Sequence, residues 1–196
     1  MSVDPWKFPR LVHLPSRVGR KPISIPDITQ FSVVTRSLFG VGCTTPTEVY
    51  STSAYNEVSS LPIKWSVPSI SAQLFLLDLD LPEHSPHPRR VLARVARDLK
   101  TRSDISLESE VATMVYVRHH CAKIPVPTVY GYCPTRDNLI GQPFCIVSFT
   151  DGMDMAGVPW EDLPLQTKLI GIRDFAKVVS QLSQLHFKAI GSIYFK

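Results

Sequence analysis

"AQLFLLDLDLP", residues 72–82, and "RRVLARVAR", residues 89–97, stand on either side of the turn-forming "EHSPHPRR". The first is an apolar run closed by Pro82 and reads as a strand. The second alternates Val91, Ala93 and Val95 against Leu92, Arg94 and Ala96, which predicts a short strand with an arginine in its interior. These two strands set the fold class as α+β, because the segments after them change period. "SDISLESEVATMVYVRHH", residues 103–120, places Leu107, Val111, Met114 and Val115 on one helical face, with Ser103, Asp104 or Ser106 as caps. That helix must stop before Pro125, since the residue before a proline avoids the α region. Pro125 and Pro127 then lead into a strand over 128–132, and "FCIVSF" at 144–149 reads as a buried strand.

Working outward, the C-terminal part is dominated by a long helix. Leu165, Leu169, Ile172, Phe175, Ala176, Val179 and Leu182 form one continuous apolar stripe. On the other side, residues 1–30 are proline-rich and lack periodicity, which reads as a basic arm. The region from Phe31 to Leu79 reads as strand-like, "TEVYSTSAYNEV" at 47–58 being the clearest alternation, with a proline-bearing loop after it. The order of elements is strands, helix, strands, linker and long helix. It predicts an antiparallel sheet carrying one helix in residues 31–150, then a connection and helix in residues 151–196.

Composition narrows the function. The chain has 196 residues, 44% of them apolar, so a packed core is within reach. A net charge of +4 without a basic stripe gives no reason to expect a nucleic-acid partner. No apolar run approaches the roughly 18 residues that span a bilayer, so no membrane partner is expected. Cys43, Cys121, Cys133 and Cys145 have neither CxxC spacing nor paired histidines, which points to reduced thiols and not to zinc. The first 22 residues carry five basic groups and one acidic group. Pro5, Pro9 and Pro15 interrupt the amphipathic helix that a mitochondrial presequence would need. A cytoplasmic location is therefore expected, with a mitochondrial one as the alternative.

"ESEVATMVYVRHHCAKIPVPTVYGY" (108–132), "NLIGQPFCIVSFTDG" (138–152) and the ending "FKAIGSIYF" (187–195) together resemble the fungal branch of the aminoglycoside phosphotransferase and choline kinase-like family. The resemblance covers roughly residues 90–195 and implies a protein-kinase-like N-lobe with a hinge and a truncated helical C-lobe. It implies that Glu110, not its neighbour Glu108, holds a cation on the third strand, and Arg94 occupies that region where lysine is usual. Val147 resembles the residue guarding an adenine pocket. Ser148 and Thr150 resemble hinge positions whose main chain meets adenine, and Gly152 resembles the glycine closing the hinge. ATP is the cofactor so implied.

Departures from the family pattern are as informative. "FGVGCTTPT", residues 39–47, offers Gly40 and Gly42 as a phosphate loop but no third glycine at GxGxxG spacing. "AYNE" at 54–57 and "QLFLLDL" at 73–79 look like two ends of one family strand, so residues 58–71 read as an insertion, of the kind an unspliced intron would leave. None of the six histidines is followed two positions later by aspartate, and neither Asn56 nor Asn138 lies five residues after one. The catalytic base and magnesium ligands of the family are thus absent, and Asp151 and Asp154 read as part of the hinge connection. The expected function is a phosphotransferase-like nucleotide-binding lobe, inactive alone or a shortened gene product. The alternative is a non-enzymatic pseudokinase-type interaction module. The apolar stripe over 165–187 implies a protein partner or self-association.

Overall fold

The computed structural model describes residues 10–11, 25–48, 72–96, 104–150 and 160–195. Six strands form one sheet: β1 (Arg10–Leu11), β2 (Thr47–Glu48), β3 (Ala72–Asp78), β4 (Arg90–Ala96), β5 (Val129–Cys133) and β6 (Phe144–Ser148). Their order is β1-β5-β6-β4-β3-β2. Strands β2 to β6 pair antiparallel, and β1 lies parallel to β5 at one edge. Three α-helices lie among the described residues: α1 (Phe31–Phe39), α2 (Asp104–His120) and α3 (Leu165–Ser183). The α+β class is as the sequence predicts.

β4 shows how the sheet uses its two faces. Side chains alternate across a strand. Val91, Ala93 and Val95 are fully buried in one cluster with Phe31 and Val34 of α1, and with Phe75, Leu77, Phe144 and Ile146 of the flanking strands. Phe31 meets Phe144 edge to face with centroids 5.7 Å apart, the arrangement that ring quadrupoles favour. On the opposite face Leu92 packs with Leu107 and Val111 of α2, and with Cys145 and Val147 of β6.

Helix α1 corrects the strand-like reading of the region that begins at Phe31. Val33, Val34 and Thr35 favour strands in isolation, but Phe31, Val34, Thr35 and Phe39 are the buried positions of this segment. They recur at helical spacing, so tertiary burial overrides local preference. The sheet therefore carries a helix on each face, not one helix alone. Gly40 ends α1 in the left-handed region at φ 76°, with its amide donating to the Arg36 carbonyl at 3.0 Å.

That termination also removes the phosphate-loop reading of Gly40 and Gly42. The glycines follow a helix C-terminus, where carbonyls and not amides point outward, and such an end repels phosphate. A Cβ on Gly42 would stand 3.1 Å from the Ser32 hydroxyl, 3.3 Å from the Asp80 carboxylate and 3.7 Å from the Arg36 guanidinium, so the space beside it is already filled by the chain's own side chains.

Two other segments are more tightly built than their composition suggests. The β5–β6 loop looks polar, yet Asn138 and Ile140 are buried in it. The Asn138 amide donates to the carbonyls of Thr135 (2.5 Å) and Gln142 (3.0 Å), and its oxygen accepts from the Gly141 amide at 3.0 Å. Within residues 1–30, Arg10–Leu11 supplies an edge strand and the Asp27 amide donates to the Ile140 carbonyl at 2.9 Å. Residues 58–71 and 151–159 lie outside the described residues, and with them the inferred insertion, Gly152 and the Asp151–Asp154 pair.

Helix α3 differs from α1 and α2, since no residue in it is buried. It touches the rest of the molecule at a few points. The Cys121 thiol lies 3.8 Å from the Gln181 carbonyl, and just past the helix end Phe187 tilts against Tyr116 with centroids 5.5 Å apart. Beyond the helix, Tyr132 and Phe195 are 5.8 Å apart.

Candidate functional site

Arg94 lies in the interior of β4, opposite Leu74 of β3 and Cys145 of β6. Alternation turns it toward the α2 face, away from the fully buried cluster of the other face. Glu110 lies on α2 immediately before Val111, which is fully buried against the sheet. Anchoring of Val111 thus brings the neighbouring carboxylate over the strand. The Arg94 guanidinium and the Glu110 carboxylate form an ion pair, with side chains 30% and 27% exposed. The structure therefore brings these two predicted residues together.

The pair has a buried neighbour. Cys145 is fully buried, and burial pushes its thiol from the ordinary 9.0 up to about 11, while the Arg94 charge pulls the other way. At neutral pH this sulfur is a protonated, inert group that packs beside the arginine. Glu108 has a different setting. Its charge adds to burial in raising the Tyr132 phenol above its ordinary range, burial being the larger cause.

The remaining predicted residues spread away from this pair. Val147 is buried on the same face and pairs with Leu92, two positions along β4 from Arg94. Ser148 ends β6, three residues beyond Cys145, a distance of roughly 10 Å along a strand. Its amide donates to the Thr128 carbonyl at 2.8 Å, and its hydroxyl accepts from the Thr128 amide at 3.0 Å. These two bonds tie the end of β6 to the start of β5, and the Ser148 hydroxyl keeps its own proton to donate. Thr150 is exposed past the strand end. Among the described residues, no group of three or more histidine, cysteine or acidic side chains is placed to hold a metal ion.

Asn138 is the residue that the sequence reading passed over. Its three main-chain bonds fix the loop that feeds β6, and so the strand that carries Cys145 and Val147. An asparagine three residues before a glycine with positive φ was the available signal.

No family model matches the chain, and no solved structure matches it. Curated relatives do. A subtelomeric hrmA-associated cluster protein of Aspergillus fumigatus is 28% identical over 108 residues, covering 55% of this chain and 21% of that protein. A protein of Yarrowia lipolytica named "Altered inheritance of mitochondria protein 9, mitochondrial" is 31% identical over 93 residues, covering 45% of this chain and 16% of its own length. Its namesake in Meyerozyma guilliermondii is 29% identical over 102 residues, with 49% and 16% covered. The matched stretch thus spans about a fifth or less of each relative's length.

The kinase-like reading does not stand. These relatives carry mitochondrial and cluster-protein names and none names an aminoglycoside phosphotransferase, and neither a family model nor a solved structure supports a kinase-like fold. The phosphotransferase-like lobe, its pseudokinase alternative and the shortened C-lobe fall with it. The physical reason lies in the motifs themselves. A proline-bounded turn before a strand, a helix led by glutamate and a strand followed by glycine are elements that many α+β sheets need.

Proposed function

We propose that this protein works in mitochondria, and that its sheet domain binds an anionic, phosphate-bearing ligand at Arg94, ATP being the candidate. The location follows the names of the two yeast relatives. The observation that carries the ligand is the Arg94–Glu110 pair. Arginine stays charged at any physiological pH, and its planar fork matches phosphate oxygens. A carboxylate that fixes such a guanidinium in a partly exposed place prepares it for an anion at little entropic cost. Among the described residues no helix is long and apolar enough to cross a membrane.

Two measurements test this reading. A fluorescently tagged chain is expected to coincide with a mitochondrial marker, and a diffuse cytosolic signal overturns the location. Calorimetric titration of the full chain with ATP, with and without magnesium, is expected to give saturable heat. Arg94→Leu should weaken it about tenfold, the worth of one charge-assisted bond. Absence of heat at millimolar ATP overturns the ligand.

A further inference from the structure

We propose that α3 is a self-association helix, which pairs antiparallel with α3 of a second copy of this chain. Leu165, Ile172 and Phe175 are 68%, 56% and 70% exposed, and Leu169, Val179 and Leu182 are exposed beside them. Leu165, Leu169, Ile172, Ala176 and Val179 follow a four-three spacing, the seam of paired helices, and Phe175 and Leu182 flank it. The Trp160 ring, itself 41% exposed, lies 3.8 Å from where a Cβ of Gly171 would stand and extends the apolar surface. An apolar surface of this extent is unusual on a soluble monomer.

The chain's own sheet domain does not cover this stripe. α3 approaches that domain through Gln181, whose carbonyl meets Cys121, and Gln181 lies roughly half a turn from the seam. Asp174 and Lys177 pair with each other at 2.8 Å on the polar side, outside the seam. Charge then selects the partner and its direction. Exposed Glu161 and Asp162 precede the helix, and exposed Lys188 follows it. An antiparallel second copy sets each acidic end against a basic end, and the helix dipoles also oppose. A parallel pairing would set like against like. This pairing does not depend on any ligand at Arg94.

Sedimentation equilibrium of the full chain across the micromolar range tests the proposal. The expected mass is twice the 22.0 kDa of one chain. Ile172→Glu, at a position 56% exposed, should give a folded monomer by circular dichroism. Reversal of both acids, Glu161→Lys with Asp162→Lys, should weaken the dimer about tenfold, and adding Lys188→Glu should restore part of that loss. A wild-type chain that stays monomeric, or an Ile172→Glu variant that still dimerises, overturns the proposal. So does a charge reversal without effect.

Discussion

The sheet and α3 are both rich in large apolar side chains, but they use them oppositely. Between the sheet and α1, Phe31, Leu77, Val91, Val95, Phe144 and Ile146 are fully or almost fully removed from water. In α3, Leu165, Leu169, Ile172 and Phe175 stay half or more exposed. Removal from water stabilises by about 25 cal/mol per Å² of apolar surface. The sheet therefore carries the folding free energy, and the stripe of α3 contributes little until something covers it.

Substitutions at the two regions should differ by an order of magnitude, and the greatest loss belongs to the core. Phe144→Ala empties a fully buried site in contact with Phe31. It should cost about 3–5 kcal/mol in urea denaturation; a cost below 1 kcal/mol would show that the sheet is not the stabilising region.

Alkaline pH gives the next effect. Cys145 keeps its proton in the folded chain up to about 11, whereas an unfolded thiol releases it near the ordinary 9.0. The raised group contributes stability that is complete below pH 9 and lost as pH rises through about 11. Half-buried Tyr130 and buried Tyr132, also raised by burial, act in the same direction at somewhat higher pH. Stability should fall by roughly 2–3 kcal/mol over that window, and Cys145→Ala should flatten the fall when thermal melts are compared across it.

Asn138→Ala follows, at about 2 kcal/mol, because it strands three main-chain partners in a buried loop. Chemical denaturation reads this directly. Breaking the Arg94–Glu110 pair with Glu110→Ala should cost about 1 kcal/mol, since both side chains remain partly solvated. Leucine at both positions should recover much of it, and a double-mutant cycle separates the pair from its surroundings. Phe175→Ser comes last: in dilute protein it should change stability by less than about 0.5 kcal/mol, because the ring is 70% exposed.

The same contrast explains what could be read from the sequence. Strands β3, β4, β5 and β6 were legible because alternation at Val91, Ala93 and Val95, or continuous apolarity in "FCIVS", reports burial directly. Helices α2 and α3 were legible from their period. α1 was not, because three consecutive β-branched residues at 33–35 hide a helical face whose partner, the sheet, is distant in sequence. The pairing of Arg94 with Glu110 was reached only through the family resemblance, since the residues alone fit equally an arginine reaching solvent from its strand. The commitment of Ser148 to Thr128 was not, since it depends on the β5–β6 register. Family identity was misread for a related reason. Short motifs report local geometry, and unrelated sheets share that geometry.

Hydrogen–deuterium exchange of the full chain tests the division between sheet and helix most directly. In dilute protein, amides of β3, β4 and β6 should exchange through global unfolding, while those of α3 exchange orders of magnitude faster. Raising the concentration should protect α3 and leave the sheet unchanged. An α3 as protected as β4 in dilute protein, or one whose exchange ignores concentration, would contradict the account.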